Sequence, residues 1–407
     1  MKSIREIYKI GRGPSSSHTM GPEKAAMLFR AEHPDADAFR VILYGSLCRT
    51  GKGHGTDRVL MEVLSPVPTE IEFCRDAQQE LPHPNTMDFI AYKGGEEYGR
   101  MRALSVGGGD IEVLGRPDTE LPEVYPENSF AEVAEFCRFR SLDLSEYVFL
   151  TEDADFREFL TGVWRQMKAT IREGLEAEGM LPGPLKVERK AKMLYQADTE
   201  DGHPEVNECR LVSAYAYATS EQNADCGTVV TAPTCGSCGV VPAVFYYMQK
   251  TRDYTDRQMV NALAVAGLIG NIVKKNASIS GAECGCQAEV GTATAMAAAG
   301  LDYLSGLSMD QTQFAAEIAL EHQLGLTCDP LLRLVQVPCI ERNAVAAMRA
   351  MTCSNLSFFL ADTQRISLDI AVKTMYETGR SMNRRFLETS EGGLAKMYGR
   401  RNCLAKE

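Results

Sequence analysis

No uninterrupted apolar run in this 407-residue chain reaches the roughly eighteen residues that a membrane-crossing helix needs, so a membrane partner is not expected. The opening MKSIREIYKIGRG carries charges where a signal peptide would need an apolar core, which points to the cytoplasm. Lysine and arginine total 43 against 55 aspartates and glutamates, a formal charge of -12, and no basic cluster breaks that balance. Nucleic acid is therefore not an expected partner. There are only six histidines, at 18, 33, 54, 83, 203 and 322, which narrows the choice of near-neutral acids and bases. Repeats of fixed period are lacking as well.

Cysteine, by contrast, is plentiful. Nine of the thirteen lie beyond Cys209. An odd number of thiols in a reducing compartment makes disulfides a poor explanation. The skew asks for metal or redox chemistry in the C-terminal half, with buried cysteine as a small hydrophobe the plain alternative.

A length of 407 residues with 44% hydrophobic and 24% charged composition allows two or three domains. Between 38 and 115 the runs FRVILYGS, TEIEFC, MDFIAY and RALSVGGGDIEVLG read as strands, with GTDRVLMEVL as a helix among them. From 156 onward the apolar period becomes helical, in FREFLTGVWRQMKATIREGLEAEG, EVNECRLVSAYAYATSEQ, DRQMVNALAVAGLIGNIVKK and ERNAVAAMRAMTCSNLSFFLAD. The expected fold is multidomain, an N-terminal α/β (α+β) domain over 1–150 and an all-helical domain over 156–407, divided by an acidic, proline-containing stretch. AEVGTATAMAAAG, 288 to 300, is so rich in small residues that it is expected to pack backbone to backbone inside the helical part.

GRGPSSSHTMGP, 11 to 22, gathers Ser15, Ser16, Ser17 and His18 between glycines and prolines. Such a cluster reads first as a turn. Pro22 can open a helix over GPEKAAMLFRAEHP, however, and the loop would then deliver its polar groups to a helix N-terminus suited to a carboxylate or phosphate.

Three cysteine sites fall at expected loop–helix junctions: Cys235 and Cys238, Cys284 and Cys286, Cys328 and Cys339. A thioredoxin-like C-x-x-C wants a βαβ setting, which a helical half does not offer. Cys235, Cys238, Cys284 and Cys286 could form a closed four-thiolate zinc site. That leaves Cys328 and Cys339 unexplained, beside a polar loop with Asp329, Gln336 and Glu341. Soft thiolates also suit an iron–sulfur cluster, and three ligands in place of four would leave one iron open as a Lewis acid.

SSSHTMGP, LYGSLCRTGKGHGTD, HPNTMDF, LSVGGGD, VVTAPTCGSCGVVPAV, GAECGCQAEVGTATAMAAAG, GLTCDP, VQVPCIERNA and MYETGRSMNRRFLETSEGGLA span 15 to 395. Taken together, the chain resembles the iron–sulfur-dependent L-serine dehydratases, in their single-chain form without a separate regulatory domain. The resemblance implies a 4Fe-4S cluster on Cys286, Cys328 and Cys339, a beta-type domain carrying the SSSHT loop, an alpha-type domain carrying the cluster, and an active site between them. It implies for Cys403 a capping role over the open iron when substrate is absent; a free thiol on a disordered tail is the competing account. Two departures stand out. Leu331, Leu332 and Arg333 replace the small residue and glycine usual after TCDP, which would put bulk beside a ligand, and Cys235, Cys238 and Cys284 read as extra thiols near the cluster.

Removing water from serine requires taking a weakly acidic α-proton and expelling hydroxide. Without a Ser-Xaa-Lys triplet the pyridoxal route has no lysine of the usual kind, and an open iron can draw off the β-hydroxyl. His54, in the glycine-flanked TGKGHGTD, is the expected base. His18 with Ser15, Ser16 and Ser17 would hold the substrate carboxylate. His83, Asn85, Thr234 and Asn343 are expected to line the cleft, with Glu341 and Arg342 near the ligand loops and His322 either a core histidine or a neighbour of the cluster. A homodimer is the expected assembly. Two alternatives stand beside this reading: the same chemistry on L-threonine, L-cysteine or another β-substituted amino acid, and a non-catalytic zinc or thiol sensor.

Overall fold

The computed structural model describes residues 1–74, 81–116, 122–197 and 203–404, the side chains only as far as residue 399. After a short 3-10 turn over Ile4–Glu6 come β1 (Ile10–Arg12), a π-helical turn over Ser16–Met20 and α1 (Gly21–Glu32). There follow β2 (Ala38–Leu43), α2 (Gly45–Thr50), α3 (Thr56–Leu64), β3 (Thr69–Phe73), β4 (Thr86–Lys93), β5 (Glu96–Gly107) and β6 (Asp110–Val113). These strands form one five-stranded sheet in the order β3-β2-β4-β5-β6, parallel only between β2 and β3. Every second residue of β2 is buried, which puts Phe39, Val41 and Leu43 against Phe29 of α1 and Leu60 and Leu64 of α3. One face of the sheet is thus covered by α1 and α3.

The helical part contains α4 (Phe130–Arg140), α5 (Leu144–Thr151), α6 (Phe156–Glu176), α7 (Ala191–Gln196), α8 (Pro204–Ala224) and the short β7 (Thr228–Val230). After these come α9 (Val240–Arg252), α10 (Asp256–Asn276), α11 (Gly281–Cys284), α12 (Thr292–Leu304), α13 (Met309–Glu321), α14 (Cys339–Leu360), α15 (Leu368–Ser381) and α16 (Gly393–Leu404). Alanine, glycine and threonine let α12 lie at the centre, packed by α9, α10, α13 and α14, with Ala293, Ala295, Ala297, Ala298 and Ala299 wholly buried. The small-residue run does what its composition suggests. Residues 339–363 are long and apolar enough to cross a membrane by length and composition alone, but α14 packs on α8, α12 and α13 within the bundle.

The packing divides the chain differently from a cut near 150. Met1, Ile4, Ile7 and Tyr8 belong to the helical core, and the Tyr8 hydroxyl donates to the Leu263 carbonyl at 2.9 Å. β1 pairs with β7, Gly11 opposite Val229. Tyr125, Phe130, Val133, Tyr147 and Val148 also join that core, so α4 and α5 are part of the helical unit. The sheet's own core spans only Ala25 to Val113. Its β5–β6 turn is fastened to the helical unit by half-buried Asp110, which pairs with Lys9 and, at 2.5 Å, with Lys274 of α10.

Asp302 on α12 gives a pH-dependent expectation. Its Oδ2 accepts from Ser357 at 2.6 Å, its Oδ1 has no hydrogen-bond partner, and burial pushes its pKa up to about 7. The folded state keeps a proton that the unfolded aspartate releases near its ordinary value of 3.8, so stability falls as pH rises from there to about 7 and stays lower above it. Asp302→Asn removes that penalty, whose ceiling is about 4 kcal/mol at ~1.4 kcal/mol per pH unit. Melting curves should show the variant several degrees more stable at about pH 8, with the gain gone below about pH 4. An equal gain at both pH values would contradict the assignment.

Candidate active site

Three thiols arrive from three different elements. Cys286 caps a π-helical turn, Gln287–Gly291, that runs on into α12, and Cys339 is the first residue of α14. Both therefore stand at helix N-termini, where the dipole favours a thiolate. Cys328 lies on extended backbone bridged to Leu387, its N–H donating to the Phe386 carbonyl at 2.8 Å while its carbonyl accepts from Glu388 N–H at 3.0 Å. Gly285, at φ +74, makes the bend before Cys286, and a Cβ there would meet the Leu326 carbonyl at 2.8 Å. Gln287 holds the loops in register, accepting from Gly325 N–H at 2.9 Å and donating to the Met375 carbonyl at 3.1 Å.

These sulfurs share a closed pocket with Pro14, Ser15, His54, Gly236, Glu289, Val290, Pro330, Val335, Arg342 and Glu388. Burial pushes the Cys339 thiol above its ordinary range, and Cys286 together with burial does the same to Cys328. Arg342 is the cation that offsets them. It donates to the Thr327 carbonyl at 2.7 Å and to Asp329 at 3.1 Å, so it also ties α14 to the Cys328 segment. Glu289 accepts from Thr234 Oγ1 at 2.7 Å, and burial pushes its pKa up to about 6. Glu388 is raised by burial and by Glu289.

His54 is buried, and neither ring nitrogen makes a hydrogen bond of ordinary geometry. Burial lowers its pKa to about 4, opposed by the Thr50 backbone, so the imidazole is neutral at physiological pH. Its ring centroid is 4.6 Å from that of His18. His18 is already engaged on both sides: Nδ1 meets Ser17 Oγ at 2.9 Å, and Nε2 meets Ser46 Oγ at 3.1 Å and Thr50 Oγ1 at 2.9 Å. Its ring is held by hydroxyls in place of being open for a carboxylate. Its charged form is disfavoured by burial and by His54.

The SSSHT segment is helical. Ser15 is the cap, its side chain accepting from His18 N–H, and the π-turn flows directly into α1, so the helix begins well before Pro22. The positive end of the dipole is therefore at Ser15, Ser16 and Ser17. His83 faces Glu283 at 3.5 Å, and Asn85 N–H donates to His83 Nδ1 at 3.0 Å. Asn85 Oδ1, Ser105 Oγ and Ser280 Oγ are buried without hydrogen-bond partners; of the three residues only Asn85 was expected from the sequence. Asn343 spends its amide on backbone, donating to the carbonyls of Gly236 at 2.8 Å and Cys339 at 2.9 Å and accepting from Gly239 N–H at 2.9 Å. It holds the CGSC turn to α14.

The four-thiolate zinc arrangement is not assembled. Cys235 and Cys238 pack with Met20 and Val229, and Cys284 lies against Gly379, where a Cβ would come within 2.5 Å of its sulfur. His322 bonds the Ile318 carbonyl of its own helix at 3.0 Å. Glu341 does not line the pocket. Leu331, Leu332 and Arg333 do not narrow it either, since their loop contributes Pro330 and Val335. Leu332 and Arg333 have φ of 49° and 66°, the left-handed region where glycine is at ease, and Leu332 is 41% exposed. Cys403 falls on the backbone of α16, and its side chain is outside the described residues.

Two family models match the chain. The one described as Serine dehydratase alpha chain covers residues 70–395, and Serine dehydratase beta chain covers 3–73. The chain belongs to the serine dehydratase family. L-serine dehydratase 2 of Escherichia coli (strain K12) is 40% identical, over 97% of this chain and 98% of its own length. L-serine dehydratases of Haemophilus influenzae and Streptomyces coelicolor are each 38% identical over 97% of this chain, covering 99% and 98% of their own lengths. The family's reaction takes serine to pyruvate and ammonia. In this member the two family segments meet within β3, so the alpha-chain segment contributes β4, β5 and β6 to the same sheet.

Proposed function

We propose that the chain removes water from L-serine, releasing an aminoacrylate that becomes pyruvate and ammonia, with a 4Fe-4S cluster held by Cys286, Cys328 and Cys339. The observation that carries the reading is the convergence of these three thiols with the unpaired imidazole of His54 in one closed pocket. The donor set fits the group. Three soft sulfurs are offered with two helix N-termini and Arg342 to balance them, and a Cβ on Gly281 would come within 3.3 Å of the Cys328 sulfur and 2.5 Å of Glu289. When bound, such a cluster supplies an iron without a protein thiolate, a Lewis acid for the departing hydroxyl.

The chain's own groups do the rest. His54, neutral and unpaired, takes the α-proton. Ser15, Ser16 and Ser17 receive the substrate carboxylate at the start of the π-turn, where the helix dipole favours it. His18, fastened by Ser17, Ser46 and Thr50, keeps that turn and α2 in register. His83 and Asn85 are not among the residues lining that pocket, His83 facing Glu283 instead, and Thr234 holds Glu289. A reducing cytoplasm keeps the thiols available, and the exposed Phe358 and Phe359 on α14 offer apolar surface for a homodimer.

Protein prepared without oxygen should carry about four irons and four sulfides per chain and absorb broadly in the visible. It should form pyruvate from L-serine faster than the corresponding oxo acids from L-threonine or L-cysteine. Stoichiometric zinc with no sulfide would favour the sensor reading in its place.

A further inference from the structure

A second cleft opens beside the pocket, on the side where the sheet unit meets the helical unit. It offers about 590 Å³ and is lined by Ser46, Arg49, Pro84, Ala282, Glu283, Cys284, Tyr376, Arg380, Met382, Arg384, Leu387 and Thr389. That volume lies in the range of sites for small metabolites. Its charge is the reverse of the chain's. Three guanidiniums face one carboxylate, and that carboxylate, Glu283, is already engaged by His83 at 3.5 Å and by Ser278. Arg380 and Arg384 have no acidic partner within 4 Å among the described residues; Arg380 lies 5.7 Å over the Tyr376 ring, and Arg49 reaches Glu391 only at 3.7 Å. In a chain of net charge -12, two exposed arginines without acidic partners converging on a concave surface offer a place for an anion.

We propose that this cleft binds a compact metabolite dianion, a dicarboxylate or a phosphate, and that its occupancy changes turnover at the neighbouring site. The coupling is short. Ser46 lines the cleft and its hydroxyl also meets His18 Nε2 at 3.1 Å and donates to the Glu388 carbonyl at 3.3 Å. Cys284 lines the cleft two residues before Cys286, and Thr389 follows Glu388, which faces the closed pocket. An anion drawing Arg380 and Arg384 inward would act on α15 and the 382–389 segment, whose backbone is hydrogen-bonded to Cys328. Neither arginine belongs to the pocket, so their removal leaves the basal reaction in place.

The effect on turnover rests on the dehydratase reading, whereas binding does not, so the two are measured separately. Calorimetric titration of the cluster-loaded protein with inorganic phosphate and with succinate, at ionic strength held constant by potassium chloride, should show binding of at least one. Arg380→Ala with Arg384→Ala should weaken it by about tenfold or more, since each guanidinium contributes charge-assisted hydrogen bonds. Arg380→Lys with Arg384→Lys should retain most of it, and Arg138→Ala, on a remote exposed arginine, should leave it unchanged. In the activity assay the bound anion should shift kcat for L-serine in the wild type and leave the double alanine variant unmoved. Binding of neither probe, equal binding by the double alanine variant, or an anion effect confined to KM would each overturn the proposal, the last because it would mark the cleft as part of the substrate's path.

Discussion

Cys328→Ser is expected to lose the cluster and the reaction together while keeping the fold. The extended backbone of Cys328 is fastened by its own N–H and carbonyl to Phe386 and Glu388, and a serine preserves both bonds. What it changes is the sulfur, one of three donors, for a harder oxygen that holds iron poorly. Several kcal/mol of Lewis-acid help then disappears, on the order of 10³-fold in kcat. The checks are iron and sulfide per chain, the visible spectrum, and pyruvate formed from L-serine without oxygen. Cys209→Ser, on an exposed thiol outside the pocket, should leave all three unchanged. A Cys328→Ser protein that kept both iron and turnover would end the three-thiolate account.

His54→Asn should lower kcat by about 10²- to 10⁴-fold, the usual weight of a positioned proton acceptor, with little change in KM and with iron content intact. Two neighbouring imidazoles are held in contrasting ways. His54 is buried with both ring nitrogens unpaired, and its lowered pKa of about 4 keeps it able to accept a proton throughout the neutral range. His18, in contact with three hydroxyls, is committed to holding Ser17, Ser46 and Thr50 together. His18→Asn should therefore act mainly through KM, by loosening the turn that receives the carboxylate. The reverse pattern, with KM moving in the His54 variant and kcat in the His18 variant, would exchange the roles.

Much of the architecture could be read from residue order alone. Branched and aromatic residues made β2 visible, period-3.6 patterns made α6, α8, α10 and α14 visible, and the run of small residues announced α12 as a central helix. Less could be read where a segment's partners are distant. Met1 to Tyr8 carry no mark that they belong to the helical core, because the groups that cover them, such as Leu263, lie some 250 residues away. The π-turns at Ser16–Met20 and Gln287–Gly291 were equally hidden. A serine-rich stretch satisfies a loop and a widened helical turn equally well until contacts such as Thr19 to the His54 carbonyl and Thr56 to the His18 carbonyl choose between them.

The site divides in the same way. Cysteine count, spacing and the joined motifs determined which chemistry the chain can support, since soft sulfurs, imidazole rings and hydroxyls are properties of residue type. Which of those groups meet was decided only by tertiary structure. Cys286 was drawn to Cys328 and away from Cys235 and Cys238, and Glu289, Glu388 and Arg342 were enclosed with them. The reason is physical: burial and the approach of remote charges set the protonation and reactivity of a carboxylate, a thiol or an imidazole, and neither is encoded in its immediate neighbours along the chain.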